Sequence, residues 1–326
     1  MPPQSPFLAR LQSSTPVILD GGLATHLETL GADLSGSLWS ASLLTTNPSL
    51  IARTHRDFYA AGADIAITTT YQASVPGLVK HLGVSEEEAN GLIVKSVELA
   101  REERDAHVSK TRNGSESGAQ GKELWIAGSV GPYGAFLADG SEYRGDYKLS
   151  ISEFKDFHRG RIDALLRPGS RVDVLAIETI PSFDETRALV DLLATEFPEA
   201  VSWVTFTLRD EKHISDGTPV EEVIKLLEAS EQVVAVGVNC VPEEMALGAL
   251  EVLKGLTRSP LVVYPNSGET WNAEKREWEG ERKSGERLAE RVRDWWTAGA
   301  RLIGGCCRTT PEDIKIIAET LKDIGK

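Results

Sequence analysis

The stretch VDVLAIETIPSFDETRALV, residues 172–190, combines two signals that recur along the whole chain. Its first half is a nearly continuous apolar run, as expected for a strand that is covered on both faces of its sheet. Ser182 follows this run, and Glu185 comes three residues later, a spacing that is typical of a capping box at the start of a helix. The stretch therefore predicts a strand that leads directly into a helix.

Eight apolar runs of this kind occur, and each precedes a segment able to form a helix. They are PVILDGG, ADIAITTTY, LWIAGSVGP, VDVLAIETIP, VSWVTFT, VVAVGVNC, LVVYPNSG and ARLIGGCC. Further capping boxes are predicted at Ser85 with Glu88, Ser150 with Glu153, Thr218 with Glu221, and Thr310 with Asp313. Eight strand-and-helix units in series favour an α/β fold, a (β/α)8 TIM barrel that forms a single domain over residues 1–326, with a doubly wound open sheet as the alternative.

Two polar segments interrupt this pattern. SKTRNGSESGAQGK, residues 109–122, is low in complexity and predicts a flexible surface loop before the third strand. ETWNAEKREWEGERKSG, residues 269–285, predicts a second long loop after the seventh strand. Its Trp271 and Trp278 are candidates either for covering a ligand or for surface packing.

The composition narrows the class of protein. With 41% hydrophobic and 26% charged residues, the chain is typical of a soluble globular protein. The formal net charge of −14 argues against a nucleic-acid or anionic-membrane partner, because phosphates would repel it. The N-terminus has no apolar signal core and no apolar run reaches the roughly 20 residues of a membrane span, so we predict a cytoplasmic protein.

In a (β/α)8 barrel the functional face lies at the C-terminal ends of the strands. The residues that end the eight runs are Asp20, Tyr71, Ser129, Glu178, Thr207, Cys240, Asn266, and the adjacent pair Cys306 and Cys307. All three cysteines of the chain belong to this set. A single cysteine is often only a small core residue, but three at one rim favour another interpretation. Three soft sulfur ligands without a fourth predict a catalytic zinc site with one exchangeable position.

Adjacent cysteines reach one ion only where the backbone bends tightly. Gly304 and Gly305 directly precede the pair. We interpret them as supplying this conformational freedom and as leaving room for a ligand. An odd number of cysteines does not indicate a disulfide framework, which is consistent with free thiols in a reducing compartment.

Seven blocks resemble, in order, the signature blocks of the homocysteine S-methyltransferase family. They are ILDGGLATHLE, ITTTYQAS, GSVGPYGA, IETIPS, GVNC, YPNSGE and IGGCCRTTPEDI, and they extend from the first strand to the eighth. The resemblance implies a zinc-dependent barrel that transfers a methyl group from a charged donor to homocysteine and forms methionine. It assigns the zinc ligands to Cys240, Cys306 and Cys307, and it assigns an ammonium-binding carboxylate to Glu178.

An amino-acid substrate also needs partners for its charged ends. Asp20 offers a second carboxylate for the ammonium group, and the amides of Gly21 and Gly22 can face the substrate carboxylate. Turn formation and helix capping are the structural alternatives for Asp20 and Glu178. Asn239 is interpreted as orienting the zinc-bound thiolate or the loop, or as making a simple backbone contact. Tyr71 is interpreted as facing the donor methyl group, as transiently occupying the zinc position, or as core packing.

The implied chemistry suits a site with few acid–base residues. Zinc holds a thiol as its thiolate at neutral pH, and a sulfonium donor leaves as a neutral thioether. We predict S-methylmethionine as the donor, then S-adenosylmethionine, over betaine, because the short chain and the blocks TTTYQAS and LWSASLL resemble the S-methylmethionine branch. The alternatives are a selenocysteine or other thiol methyltransferase, and a non-catalytic zinc-binding barrel. A chain that ends soon after its eighth helix predicts a monomer or a weak dimer.

Overall fold

Eight parallel strands form one sheet that curls into a barrel. The computed structural model describes residues 6–324 except positions 35, 37, 115–121, 273–276, 280, 281 and 283. The strands are β1 (Val17–Ile18), β2 (Ile65–Ile67), β3 (Trp125–Val130), β4 (Val174–Ile180), β5 (Ser202–Phe206), β6 (Val233–Asn239), β7 (Leu261–Tyr264) and β8 (Ala300–Ile303). Neighbours are hydrogen-bonded in the order β1-β8-β7-β6-β5-β4-β3-β2. The predicted (β/α)8 barrel is confirmed, and the open doubly wound sheet is wrong.

Helices surround the barrel, and two short hairpins extend it. The α-helices are Pro6–Leu11, Leu23–Thr29, Leu43–Thr46, Pro48–Ala61, Val75–Leu82, Glu86–Gly114, Tyr133–Leu137, Ile151–Leu166, Phe183–Glu196, Val220–Glu228, Glu243–Leu256, Glu286–Ala298 and Pro311–Ile324, with 3₁₀ turns at Trp39–Ser42 and Ser141–Tyr143. Antiparallel hairpins pair Leu208–Asp210 with His213–Ile214, and Thr270–Asn272 with Glu277–Glu279. The side chains of Trp271 and Trp278 lie outside the described part of the chain. In that part, no helix combines the length and the apolar character that a bilayer crossing requires.

Two apolar clusters explain why the strand runs are continuous. One fills the barrel interior and includes Val174 and Ala176 of β4. The other lies between the strands and the helices and includes Leu175 and Ile177 of the same strand. Alternate residues of β4 therefore face opposite clusters, and all of its residues are buried. This burial on both faces is what the unbroken apolar run predicted.

Two aspartate side chains and one backbone hydrogen bond close the barrel between β1 and β2, the first and last strands in the sheet order. The Ile18 amide donates to Asp64 Oδ2 over 2.8 Å, and the Asp64 amide donates to the Ile18 carbonyl over 2.7 Å. Farther along the same gap, the Ile67 amide donates to Asp20 Oδ2 over 2.8 Å. We call this junction the β1–β2 seam. Asp20, predicted as a substrate ligand, therefore also has a structural role.

The loop predicted at residues 109–122 begins too early. The helix Glu86–Gly114 continues through residues 109–114, and residues 115–121 lie outside the described part of the chain. Ser109, Lys110 and Thr111 are exposed, and an exposed helix turn needs no apolar face. Low sequence complexity therefore did not indicate where this helix stops.

The predicted helix starts have mixed outcomes. Reciprocal capping boxes form at Ser150 with Glu153 and at Ser85 with Glu88. The Thr310 amide donates to the Asp313 carboxylate, and Ser182 accepts the Glu185 amide, while the Glu185 carboxylate binds elsewhere. The capping box at Thr218 and Glu221 is wrong. Pro219 precedes the helix there without a side-chain cap, and the Thr218 amide donates to Asp216 instead.

Candidate metal centre and active site

The three cysteine thiols meet at the C-terminal face of the barrel. Cys240 follows β6, and Cys306 and Cys307 follow β8. The Sγ atom of Cys240 lies 3.0 Å from that of Cys306 and 3.6 Å from that of Cys307, and all three lie within 4.8 Å of one another. Zinc–sulfur bonds of about 2.3 Å set tetrahedral sulfurs about 3.8 Å apart, so a small outward shift admits the ion. The cluster has the donor set and spacing of a metal centre.

Backbone groups around the end of β7 hold the cysteine segments. The Cys240 amide donates to the Tyr264 carbonyl over 3.2 Å, and the Cys306 amide donates to the Pro265 carbonyl over 2.8 Å. The Cys307 amide donates to Asn266 Oδ1 over 3.2 Å. Asn266, which the sequence placed at a strand end, thus positions a cysteine through the main chain. The thiols themselves remain available to an ion.

Gly304 and Gly305 serve close packing and not backbone freedom. Neither has a positive φ, whereas Cys240 and Arg308 do. A Cβ at Gly304 would lie 2.6 Å from Leu19 Cβ, and one at Gly305 would lie 2.4 Å from Thr309 Oγ1. The space beside each missing Cβ is therefore filled by protein, although Gly305 also lines the cavity over the sulfurs. A larger residue at Gly304 would push β8 away from the segment that follows β1.

A cavity with an empty volume of about 800 Å³, including its open mouth, lies over the sulfurs. The predicted site residues all line it: Cys240, Cys306, Cys307, Asp20, Gly21, Gly22, Glu178, Tyr71 and Asn239. Its acidic side chains are Asp20, Glu178 and Glu142, and none of the described residues that line it is Lys, Arg or His. The cavity therefore favours a ligand with positive charge.

Burial changes the acidity of the two predicted carboxylates. It raises the pKa of Glu178 to about 7, against hydrogen bonds from Ser129 and Tyr264 that favour the charged form. Burial also raises the pKa of Asp20 well above its usual range, and the nearby charge of Glu178 adds to this effect. An ammonium group between them would lower both pKa values and restore both charges. The pair is thus suited to bind a cation.

The Gly22 amide is occupied, which corrects its predicted role. It donates to Thr309 Oγ1 over 2.8 Å and lies 3.1 Å from the Thr309 carbonyl. A Cβ at Gly22 would lie 2.4 Å from the Cys306 carbonyl, so this glycine permits contact between two loops. Among the described residues, the Gly21 amide has no hydrogen-bond partner. It keeps its predicted role as a candidate donor to a substrate carboxylate.

Asn239 contacts β4 and not the sulfurs. Its Nδ2 donates to Thr179 Oγ1 over 2.8 Å, and its Oδ1 accepts the Thr179 amide over 2.7 Å. Thr179 has a left-handed φ of 60°, an unfavourable conformation for a β-branched residue. The interpretation of Asn239 as a residue that contacts the backbone is therefore favoured. Its effect is to fix the backbone directly after Glu178.

A buried charged network, which the sequence analysis missed, fixes the opposite side of the rim. Arg161 donates to the carbonyls of Tyr71, over 2.8 Å, and Gly131, over 2.6 Å, and it lies 2.9 Å from His158 Nδ1. Because arginine only donates, His158 Nδ1 accepts, and its Nε2–H donates to Glu185 over 2.8 Å. An accepting Nδ1 requires a neutral ring, and burial, which lowers the pKa of His158, agrees with this. We call these three side chains the arginine network.

Glu142 and Tyr143 were also missed. They lie in the 3₁₀ turn Ser141–Tyr143, well beyond the end of β3, and therefore escape a search of strand ends. The Tyr143 hydroxyl lies 3.6 Å from Cys240 Sγ. Burial raises the pKa of Glu142 to about 7. An acidic and an aromatic residue in a loop of the functional face were the only sequence signal.

Comparisons with known proteins agree with this geometry. A sequence model of the family described as homocysteine S-methyltransferase matches residues 17–321. Homocysteine S-methyltransferase of Escherichia coli (strain K12) is 50% identical over 314 residues, 96% of this chain and 98% of that protein. The selenocysteine methyltransferase of Astragalus bisulcatus is 42% identical over 319 residues, 95% of this chain and 94% of that protein. The crystal structure of the metallated form of the homocysteine methyltransferase MmuM from Escherichia coli matches with a TM-score of 0.84 at 48% identity, and the match covers 96% of this chain and 99% of that one. The fold, the cysteine cluster and these matches together establish that the chain belongs to the homocysteine S-methyltransferase family.

Proposed function

We propose that this enzyme transfers a methyl group from S-methylmethionine to homocysteine at a zinc ion held by Cys240, Cys306 and Cys307. Both products are methionine, and S-adenosylmethionine is the second candidate donor. Membership of the family gives the class of reaction, methyl transfer to homocysteine. The proposed zinc ion and the cationic donor are supported by the convergence of three thiols under a cavity whose charged side chains are all acidic.

The cysteine cluster is suited to zinc in particular. Three thiolates are soft ligands of the kind that zinc binds, and all three cysteines line the cavity, so an ion held by them would be accessible to a ligand there. Without a cation the three thiols cannot all ionise: hydrogen bonding with Cys240 raises the pKa of Cys306 and lowers that of Cys307. When bound, zinc supplies a thiolate nucleophile from the thiol of the acceptor at neutral pH.

The residues of the chain bind and orient the acceptor. Glu178 and Asp20 take the ammonium group of homocysteine, and the Gly21 amide faces its carboxylate. Asn239 keeps Thr179, and with it the Glu178 backbone, in place. The acceptor thiol is thereby directed to the sulfurs of the cluster.

The transfer needs no general acid from the protein. The donor C–S bond breaks and its electron pair stays on the donor sulfur, so the leaving group is a neutral thioether. The new C–S bond forms on the homocysteine sulfur, whose thiol proton passes to solvent. This agrees with the absence of histidine among the described residues that line the cavity, since His158 is engaged by Arg161 and Glu185.

A selenocysteine or other thiol acceptor is the second candidate function, favoured by the similarity to the selenocysteine methyltransferase. The open cavity argues against a non-catalytic zinc-binding barrel, which would need no such space. A monomer or weak dimer stays a prediction, and light scattering at low concentration tests it.

A donor and acceptor matrix tests the proposal. Zinc-loaded enzyme receives homocysteine with S-methylmethionine, S-adenosylmethionine or betaine at equal concentration, and methionine is measured. We expect the fastest turnover with S-methylmethionine and little with betaine. Faster turnover with betaine would overturn the donor, and faster methylation of selenocysteine would overturn the acceptor. No turnover with any pair would overturn the function.

A further inference from the structure

Glu142 is a buried acid, and one oxygen of its carboxylate has no hydrogen-bond partner among the described residues. Its side chain lines the cavity and is 7% exposed. Its Oε2 atom is buried and accepts no hydrogen bond within the described part of the structure. A buried carboxylate oxygen left unpaired is destabilising, so such an atom in an active-site cavity indicates a missing donor.

The neighbouring cation does not fill this role. Arg144 Nε donates to Asp146 over 3.0 Å, and its Nη1 donates to the Asp139 carbonyl over 3.2 Å. The turn itself is firmly placed, because a Cβ at Gly134 would lie 2.5 Å from the Glu142 amide nitrogen. The backbone therefore places Glu142 at the cavity, and one of its carboxylate oxygens has no hydrogen-bond donor among the described residues.

Glu142 and the acceptor-binding carboxylates reach the sulfurs from different elements. Asp20 follows β1, and Glu178 lies in β4. The charge of Glu178 raises the pKa of Asp20. Glu142 comes from the turn after β3, beside Tyr143, whose hydroxyl contacts Cys240 Sγ. The cavity thus offers two separate anionic positions around one sulfur cluster. A reaction between two amino acids needs two such positions.

We propose that Glu142 binds the ammonium group of the methyl donor and so selects a sulfonium α-amino acid. This inference rests on the proposed function and adds a residue that determines donor specificity. An ammonium group has N–H donors, and one of them can donate a hydrogen bond to the unpaired Oε2 atom of Glu142. A sulfonium or a trimethylated nitrogen has no N–H, so neither can make this bond. Charge alone would admit betaine, whereas hydrogen bonding at Glu142 does not.

The test compares two donors on matched variants. S-methylmethionine is compared with 4-(dimethylsulfonio)butanoate, which keeps the sulfonium and the carboxylate but lacks the ammonium group. Wild type, Glu142→Gln and the exposed control Glu231→Gln are assayed with homocysteine, and zinc content is measured. We expect wild type and the control to favour S-methylmethionine by about 10- to 100-fold in kcat/KM, the factor for a hydrogen bond to a charged group. Glu142→Gln keeps an acceptor oxygen but loses the charge, so it should reduce this preference by about tenfold and leave the homocysteine KM unchanged.

Several results would overturn the inference: equal use of both donors by wild type, an unchanged preference in Glu142→Gln, or a higher homocysteine KM in place of a donor effect. If Glu142→Gln does not fold, Glu142→Asp replaces it and should weaken the preference.

Calorimetric titration of S-methylmethionine into zinc-loaded enzyme measures donor binding without turnover. A Kd at least about tenfold weaker in Glu142→Gln supports the inference, and an equal Kd overturns it. Failure of the proposed function would appear separately, as a wild type that binds the donor but forms no methionine.

Discussion

The two sides of the barrel rim are ordered by different means. On the cysteine side, formed by Cys240, Cys306 and Cys307, hydrogen bonds of the cysteine amides to two carbonyls and to Asn266 set the positions. Among the described residues, the thiols contact only one another and Tyr143 through hydrogen bonds. On the other side, the buried arginine network holds the loops after β2 and β3 through its side chains. A metal centre needs side chains that are free to bind an ion, so its scaffold has to be the backbone. Substitutions on the two sides should therefore change different properties of the enzyme.

Loss of a sulfur should have the largest effect, and it should fall on activity. Cys240→Ser, Cys306→Ser and Cys307→Ser each remove a soft ligand, and we expect bound zinc to be lost and kcat/KM to fall by about a thousandfold or more. Thermal unfolding of the metal-free proteins should change little, because the amides that hold these segments remain. Metal analysis, kinetics and calorimetry check this. Full zinc and full turnover in all three variants would refute the assignment.

Loss of the buried cation should fall on stability. Arg161→Met leaves two carbonyls and His158 Nδ1 unpaired in the interior, and we expect the free energy of unfolding to drop by about 3–5 kcal/mol. Arg159→Met is the matched control on the same helix: its ion pairs with Asp156 and Glu196 are exposed, and it should change stability by less than about 1 kcal/mol. Urea unfolding compares the two. Equal stability of both variants would mean that the network does not hold the rim.

A smaller effect should separate substrate binding from metal binding. Glu178→Gln and Asp20→Asn remove the proposed ammonium partners but leave the sulfurs in place. We expect the homocysteine KM to rise about 10- to 100-fold while zinc content stays at the wild-type level. Acceptor titrations with parallel metal analysis measure both. An unchanged KM in both variants would contradict the role given to these carboxylates.

The smallest effect concerns the helix that carries Arg161 and His158. Ser150 caps it through a complete box with Glu153, so Ser150→Ala should lower stability by about 1 kcal/mol without changing zinc content. Thr218 makes no cap, and Thr218→Ala should be closer to neutral. Thermal melts of the two variants compare them. A larger loss at Thr218 would reverse this assignment.

Sequence patterns predicted the parts of the fold that depend on local chemistry. Burial on both faces produces continuous apolar strands such as β4, and strand ends meet at one rim in any (β/α)8 barrel, which brought Cys240 to Cys306 and Cys307. The arginine network was missed because Arg161 and His158 lie in a helix and look like ordinary polar residues there. Only tertiary packing shows that they are buried.

Other failures have equally specific causes. Glu142 lies beyond the strand ends and follows no periodic pattern, so its place in the cavity depends on how one loop folds back. Gly304 and Gly305 were singled out for backbone freedom, whereas Gly304 makes room for Leu19, which is distant in sequence, and Gly305 makes room for Thr309 of the same loop. Thr218 carries a capping signal that the following Pro219 overrides.

The β1–β2 seam links occupancy of the cavity to local opening of the barrel. In a strand ladder many backbone hydrogen bonds together protect the amides from hydrogen exchange, whereas the Ile67 amide is bonded to one oxygen of Asp20. When an ammonium group binds at Asp20, it favours the charged carboxylate, and a charged acceptor makes the stronger hydrogen bond with that amide. We therefore expect deuterium uptake at Ile67 to slow when homocysteine binds, and to respond less in Asp20→Asn. Hydrogen exchange at the β1–β2 seam should therefore show whether the cavity holds its ligand.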